Sequence, residues 1–151
     1  MRWNISAARE WTFIPTVNFG AGTYLFGNSA GDTCPIADGQ STCLDIGHGS
    51  TLATASAGAL LYIESGGADI STDSPTSLLG SSSYDGIAVW DASASGTKDP
   101  LNIQNGGRST TTLGGIYVPN GETDITGDGT VNATFLATNT AILANGQIGL
   151  G

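Results

Sequence analysis

The stretch from Asp124 to Asn132, DITGDGTVN, carries oxygen-bearing side chains at the spacing of a helix–loop–helix calcium loop. Acids stand at its first and fifth positions, glycine at the sixth and asparagine at the ninth, where such a loop places ligands and a sharp turn. A loop of this kind begun at Asp124 reaches its closing position at Phe135, where a carboxylate is needed. A hard cation takes roughly six to eight oxygens, and two carboxylates without a bidentate partner fall short. The following VNATFLATNT is rich in β-branched residues and Asn, so no exiting helix is expected. Asp124 and Asp128 are therefore read as corner residues that bind an ion weakly and adventitiously at most. No metal site and no cofactor is expected.

Other fragments invite a catalytic reading. Gly47-His48-Gly49 is similar to one motif of the polygalacturonases, but neither an adjacent Asp pair nor an Arg-Ile-Lys triplet accompanies it. His48 is read as a solvated turn residue. Glycoside hydrolysis needs two carboxyls held roughly 5 to 9 Å apart, and Asp69, Asp73, Asp85 and Asp91 are numerous enough to supply a pair by chance. A lyase needs a base, and outside the N-terminal segment only Lys98 and Arg108 are available, both in loop-like settings. No phosphate loop or Ser-His-Asp spacing occurs. No catalytic residue is assigned, and the chain is not expected to be an enzyme.

Binding chemistry is better represented. Tyr24, Tyr62, Tyr84, Trp90 and Tyr117 offer rings with an apolar face and a polar tip, suited to a sugar platform. Trp90 is read first as a core side chain and second, with Tyr84, as an exposed ligand surface. Cys34 and Cys43, nine apart, are the only cysteines, and His48 is the only histidine. Two thiols cannot complete a structural zinc site. A disulfide is the preferred reading, worth roughly 2 to 3 kcal/mol in the chain-entropy model. It suits an oxidising, extracytoplasmic compartment. A pair of small buried thiols is the alternative.

The elements that position these residues follow from composition. The chain has 151 residues, 39% hydrophobic and 11% charged, with 23 glycines. That length suits one domain, and Gly with abundant Ser, Thr and Asn disfavours helix interiors. Thirteen acids against four basic residues give a net charge of −9, which repels nucleic-acid backbones and anionic membrane surfaces alike. No stretch approaches the ~20 apolar residues of a transmembrane span, and MRWNISAAREWTF lacks the apolar region of a signal peptide. Within it SAAREW, Ser6 to Trp11, is expected to form a short capping helix that covers an otherwise open β edge.

Beyond Phe13 short apolar runs alternate with turn signals, including Asn105-Gly106, Asn120-Gly121 and Asn145-Gly146. The runs repeat. YIESGGADI (Tyr62 to Ile70) aligns with YVPNGETDI (Tyr117 to Ile125), which places Tyr62 and Tyr117 in equivalent positions and favours a stacked ladder over a site. TDITGDGTV (Thr123 to Val131) aligns with TAILANGQI (Thr140 to Ile148), stacking Ile125 on Ile142, Gly129 on Gly146 and Val131 on Ile148. The second copy has no acid, so a turn explains both copies and a calcium loop only one. A period near 17 to 22 residues suits one coil of a parallel β-solenoid. Six or seven coils ~4.8 Å apart would make a rod of roughly 30 Å. A β-sandwich or jelly roll is the rival.

Four segments then resemble one family. VNFGAGTYLF (Val17 to Phe26), GALLYIESGGADISTDSPTS (Gly58 to Ser77), SSYDGIAVWDASAS (Ser82 to Ser95) and GGIYVPNGETDITGDG (Gly114 to Gly129) resemble, in order, the C-terminal β-helix region of TadE/TadG-like Flp (Tad) pilus-assembly proteins. The resemblance implies an all-β, right-handed parallel β-helix over residues 17–151, behind a cap segment at 1–16. It also implies an extracytoplasmic structural or adhesive role beside pilus-assembly proteins or other surface partners. Such a module is expected to be monomeric or weakly associating. A carbohydrate-binding or polysaccharide-cleaving β-helix is the alternative.

Overall fold

Short runs of β-branched and aliphatic residues, punctuated by Gly, Asn and Asp, leave each strand only three to seven residues before a corner in most cases. The computed structural model describes residues 2–4, 16–27, 34, 36–37, 40–47, 50–72, 75–93, 101–106 and 110–151. The expected helix at Ser6 to Trp11 lies outside these residues, as do His48, Asp73, Lys98 and Arg108. Among the described residues sixteen strands run in chain order: β1 (Arg2–Asn4), β2 (Thr16–Phe19), β3 (Gly22–Phe26), β4 (Ile36–Ala37), β5 (Gln40–Ile46), β6 (Thr51–Thr54), β7 (Ala59–Ile63) and β8 (Gly67–Thr72). They continue as β9 (Thr76–Leu78), β10 (Ile87–Asp91), β11 (Leu101–Asn105), β12 (Thr110–Leu113), β13 (Gly115–Thr126), β14 (Thr130–Ala133), β15 (Leu136–Ala144) and β16 (Gln147–Leu150). One 3₁₀ turn, Ser82–Tyr84, precedes β10. The fold is nearly all-β, and its sheets are parallel.

The larger sheet has the order β1-β3-β7-β10-β13-β11-β8-β5-β4, with β15 also on β13. Strand β13 joins two wings: its first residues pair with β10, its last with β11, and the register against β15 shifts between Val118 and Glu122. Asn120-Gly121 therefore sits inside a continuous strand, at a bulge, and not at the expected turn. The second sheet has six strands, β16-β14-β12-β9-β6-β2. Among the described residues only β4 and β5 form an antiparallel strand pair. That overturns the sandwich rival, which needs antiparallel pairing throughout. From β7 onward the chain visits first wing, second wing and six-stranded sheet in turn, then repeats the circuit.

In-register pairing converts this circuit into rows of like side chains. Ile46, Ile70, Ile103 and Ile125 stack in one inward row, each no more than 1% exposed. Leu78, Leu113 and Ala133 form another in the six-stranded sheet. Buried Thr76, Thr111 and Thr123 fill the narrow interior beside these aliphatics, as small residues must where facing sheets approach closely.

The observed registers refine the expected repeat. Tyr62 and Tyr117 do share a row, and so do Ile70 and Ile125, but a whole level lies between them, contributed by Trp90 and Ile103. Val131 pairs with Ile148 as expected. Ile125 instead pairs with Leu143, and Ile142 falls opposite Asp124. The cause is corner length: five residues separate Ile125 from Val131, and four separate Leu143 from Ile148. A period of 17 to 22 holds only for the last levels, since Tyr24 pairs with Leu61 across 37 residues. The strand set also begins before Val17, because β1 already pairs with β3 and β2 starts at Thr16.

Cys34 and Cys43 are joined as a disulfide with Cα atoms 5.1 Å apart, clamping the segment that leads into β5. Buried Cys43 and half-buried Cys34 pack with the apolar core.

Candidate functional site

Alternation along the first wing decides which side chains face outward. In β10, Val89 points inward against Leu61 and Ile116, so Trp90 points out and Asp91 points in. Trp90 stands between Tyr62 and Tyr117, with ring centroids 5.5 Å and 5.2 Å away and interplanar angles of 68° and 79°. All three are half-buried. Edge-to-face packing of this kind contributes about 0.5 to 1.5 kcal/mol per pair beyond area burial. The row presents a continuous strip of aromatic carbon with a hydroxyl at either end. Trp90 is thus an outward strip residue and not the core side chain expected, because the inward positions on either side are already occupied.

The other expected platform members lie elsewhere. Tyr24 is in register with Leu61, one residue off the strip; its ring meets Phe19 at 4.7 Å and its hydroxyl donates to the Gly20 carbonyl at 3.1 Å. Tyr84 is exposed in the 3₁₀ turn, six residues before Trp90.

Asp124 is not at a corner. It lies in β13, half-buried, in the row Asp45, Asp69, Asn102, Asp124 that runs up the second wing. Asp69 there accepts a hydrogen bond from the Ser71 hydroxyl. Asp128 is the corner residue, and it is exposed. The turn is carried by Gly127, whose φ of +103° and whose close approach to the Asn105 backbone exclude a side chain. Asn105 is buried and donates from Nδ2 to the Thr130 carbonyl at 3.2 Å, tying this corner to the level below. One level up the same corner uses Asn145, with φ +63°. The chain leaves the corner as strand β14. Melting curves with millimolar calcium and with chelator should therefore coincide. A rise with calcium that disappears in Asp128→Ala would assign the loop an ion after all.

The carboxylates considered for hydrolysis are scattered. Asp69 faces outward on β8, Asp85 stands in an exposed turn with φ +53°, and Asp91 is inside. Asp91 was not distinguished from the other acids in the sequence, although the in-out alternation of Val89, Trp90 and Asp91 marks its inward position. It is 1% exposed, beside Ile63, and Oδ1 accepts from the Ser93 N–H at 2.9 Å. Oδ2 has no hydrogen-bond partner among the described residues. Burial raises the Asp91 carboxyl above the ordinary carboxylate range, against a lowering by its Ser93 hydrogen bonds.

A raised folded-state value means that the folded chain binds the extra proton. The Asp91 contribution to stability is full below the unfolded value of about 3.9 and is lost as pH rises through the folded one. Asp91→Asn should accordingly melt a few degrees above the parent at pH 7 and together with it at pH 3. A difference that does not change with pH would mean that the buried charge is not the cause.

Comparison with protein-family models, with curated proteins and with solved structures finds no match to this chain.

Proposed function

We propose that the chain is a non-enzymatic structural and adhesive module of the cell surface, built as a right-handed parallel β-helix and serving beside Tad-type pilus-assembly proteins. The observation that carries the adhesive reading is the outward row Tyr62, Trp90, Tyr117 on a parallel-strand scaffold. Six parallel levels in one sheet and the recurring three-strand circuit support the β-helix. Right-handed crossovers between parallel strands are the rule. The extracytoplasmic placement rests on the Cys34–Cys43 disulfide, and the pilus association on the four resembling segments. Aromatic side chains fixed on strands lose little conformational entropy on contact, so they suit attachment to apolar or glycan-coated surfaces.

The test uses beads carrying the chain, washed over alkyl-coated glass and over a printed glycan array. Retention should fall at least tenfold in the double variant Trp90→Ala, Tyr117→Ala, checked as folded by its β-sheet circular dichroism. Equal retention would remove the strip from the function. The second reading, a carbohydrate-binding or carbohydrate-cleaving protein, is favoured by the same rings if retention is confined to particular glycans. Cleavage requires turnover of polyuronate in addition.

A further inference from the structure

We propose that the level formed by β15 and β16 is a self-association surface, which pairs with the same level of a second copy of this chain. Three independent observations converge on it. Among the described residues, strand β15 pairs only with β13, and β16 ends the six-stranded sheet. Their far edges therefore present unpaired backbone donors and acceptors along roughly 40 Å of strand, at ~3.3 Å per residue.

The inward rows do not stop at this level. Leu143 stands on Ile125 and Leu150 on Ala133, yet Leu143 is 51% and Leu150 63% exposed, where the partners below are buried. Ile142 beside them is 42% exposed. A groove of about 390 Å³ runs along this end, lined in part by Leu113, Ala133, Gly149 and Leu150. The stacking surface that holds each level to the next thus continues, uncovered, on β15 and β16.

Charge selects the occupant. Gly129 to Gly151 contains no Asp, Glu, Lys, Arg or His and no Pro, in a chain of net charge −9. Chains that stay monomeric blunt an edge with Lys, Pro or an inward charge, and this edge carries none. Two equally acidic molecules meet with least repulsion where neither carries charge. An isologous contact about a two-fold axis sets the edges antiparallel and closes after two copies, whereas a head-to-tail contact continues as an open filament.

Sedimentation velocity of the 151-residue chain, from about 1 to 200 µM, is the test. The expected result is a reversible shift to twice the 15.2 kDa chain mass as concentration rises. The double variant Leu143→Lys, Leu150→Lys should stay at the single-chain mass throughout. Should that variant lose its β-sheet signal, Ala141→Glu places one charge at the same end and should act alike. Amide exchange at β15 and β16 should slow with concentration in the parent only. A single-chain mass at every concentration, a dimer indifferent to both variants, or an open-ended series of larger species would each overturn the proposal. None of these outcomes bears on the aromatic strip, which lies on a different surface.

Discussion

Gly80→Ala is expected to destabilise the chain by about 3 kcal/mol, lowering the melting temperature by roughly 6 to 12 °C. A Cβ built on Gly80 overlaps the Gly86 carbonyl oxygen and carbon and comes within 3.0 Å of its Cα. All of these are backbone atoms, so no rotamer change relieves the contact. The same carbonyl accepts from the Gly115 N–H at 2.8 Å, and the turn between β9 and β10 is closed by Gly86 N–H to the Ser81 carbonyl and Ser81 N–H to the Ile87 carbonyl, each 3.0 Å. Moving Gly86 breaks the contacts that align β10 with β13. Gly86→Ala is the informative control. Gly86 has φ +79° but nothing within 4 Å of its Cβ position, so its cost is only conformational, about 1 to 2 kcal/mol. Chemical denaturation should rank Gly80→Ala as the more damaging, even though Gly86 is the glycine with the left-handed backbone. The reverse order would mean that the turn yields at Gly80.

What was legible in the sequence was periodic, and what was hidden was a matter of corner length. Tyr62 with Tyr117, and Ile70 with Ile125, are recognisable as row partners because in both copies an Ile stands eight positions after the Tyr. The level between them is not, since Trp90 and Ile103 are thirteen residues apart and no short alignment reaches across. Corners sit outside the ladder of hydrogen bonds and tolerate insertion, so strand spacing drifts while the rows persist. The slip that sends Ile125 to Leu143 is the same effect at its smallest, a single extra residue around Gly127. A period-2 face inverts with a shift of one, so a local alignment that is right at Val131 is wrong six residues earlier.

The candidate strip was half legible for the same reason. Its two tyrosines were expected as a ladder, and Trp90, between the apolar run Gly86 to Val89 and an Asp-rich loop, was expected first as a core side chain. Only the register against Tyr62 and Tyr117 shows that it completes their row. The reading of Asp124 failed in a complementary way. Asp124 was read as a corner residue together with Asp128, and Asp124 to Thr126 belong instead to strand β13, where alternate residues point to opposite faces. The turn chemistry at Gly127 and Asn145 was carried by residues whose small or amide side chains accept positive φ, which sequence alone does mark.

Truncation along the Ile46–Leu143 row should give a gradient that reports how many neighbours each side chain has. Ile103 is 1% exposed and stands between Ile70 and Ile125, so the methyls removed by Ile103→Ala come from a site closed above and below. The expected loss is about 2 to 4 kcal/mol, of which the unfilled cavity is a large part, and Ile103→Val should cost only about 1 kcal/mol. Leu143 closes the row with a neighbour on one side only and is half exposed, so Leu143→Ala should cost roughly 0.5 kcal/mol in dilute solution. Urea titrations of the three variants at low micromolar concentration measure this directly. Comparable losses at Ile103 and Leu143 would contradict stacking of the row. If the loss at Leu143 grows with protein concentration while that at Ile103 does not, the end of the row is being covered by another molecule. That mass-action signature is the one expected of a surface completed by a second copy.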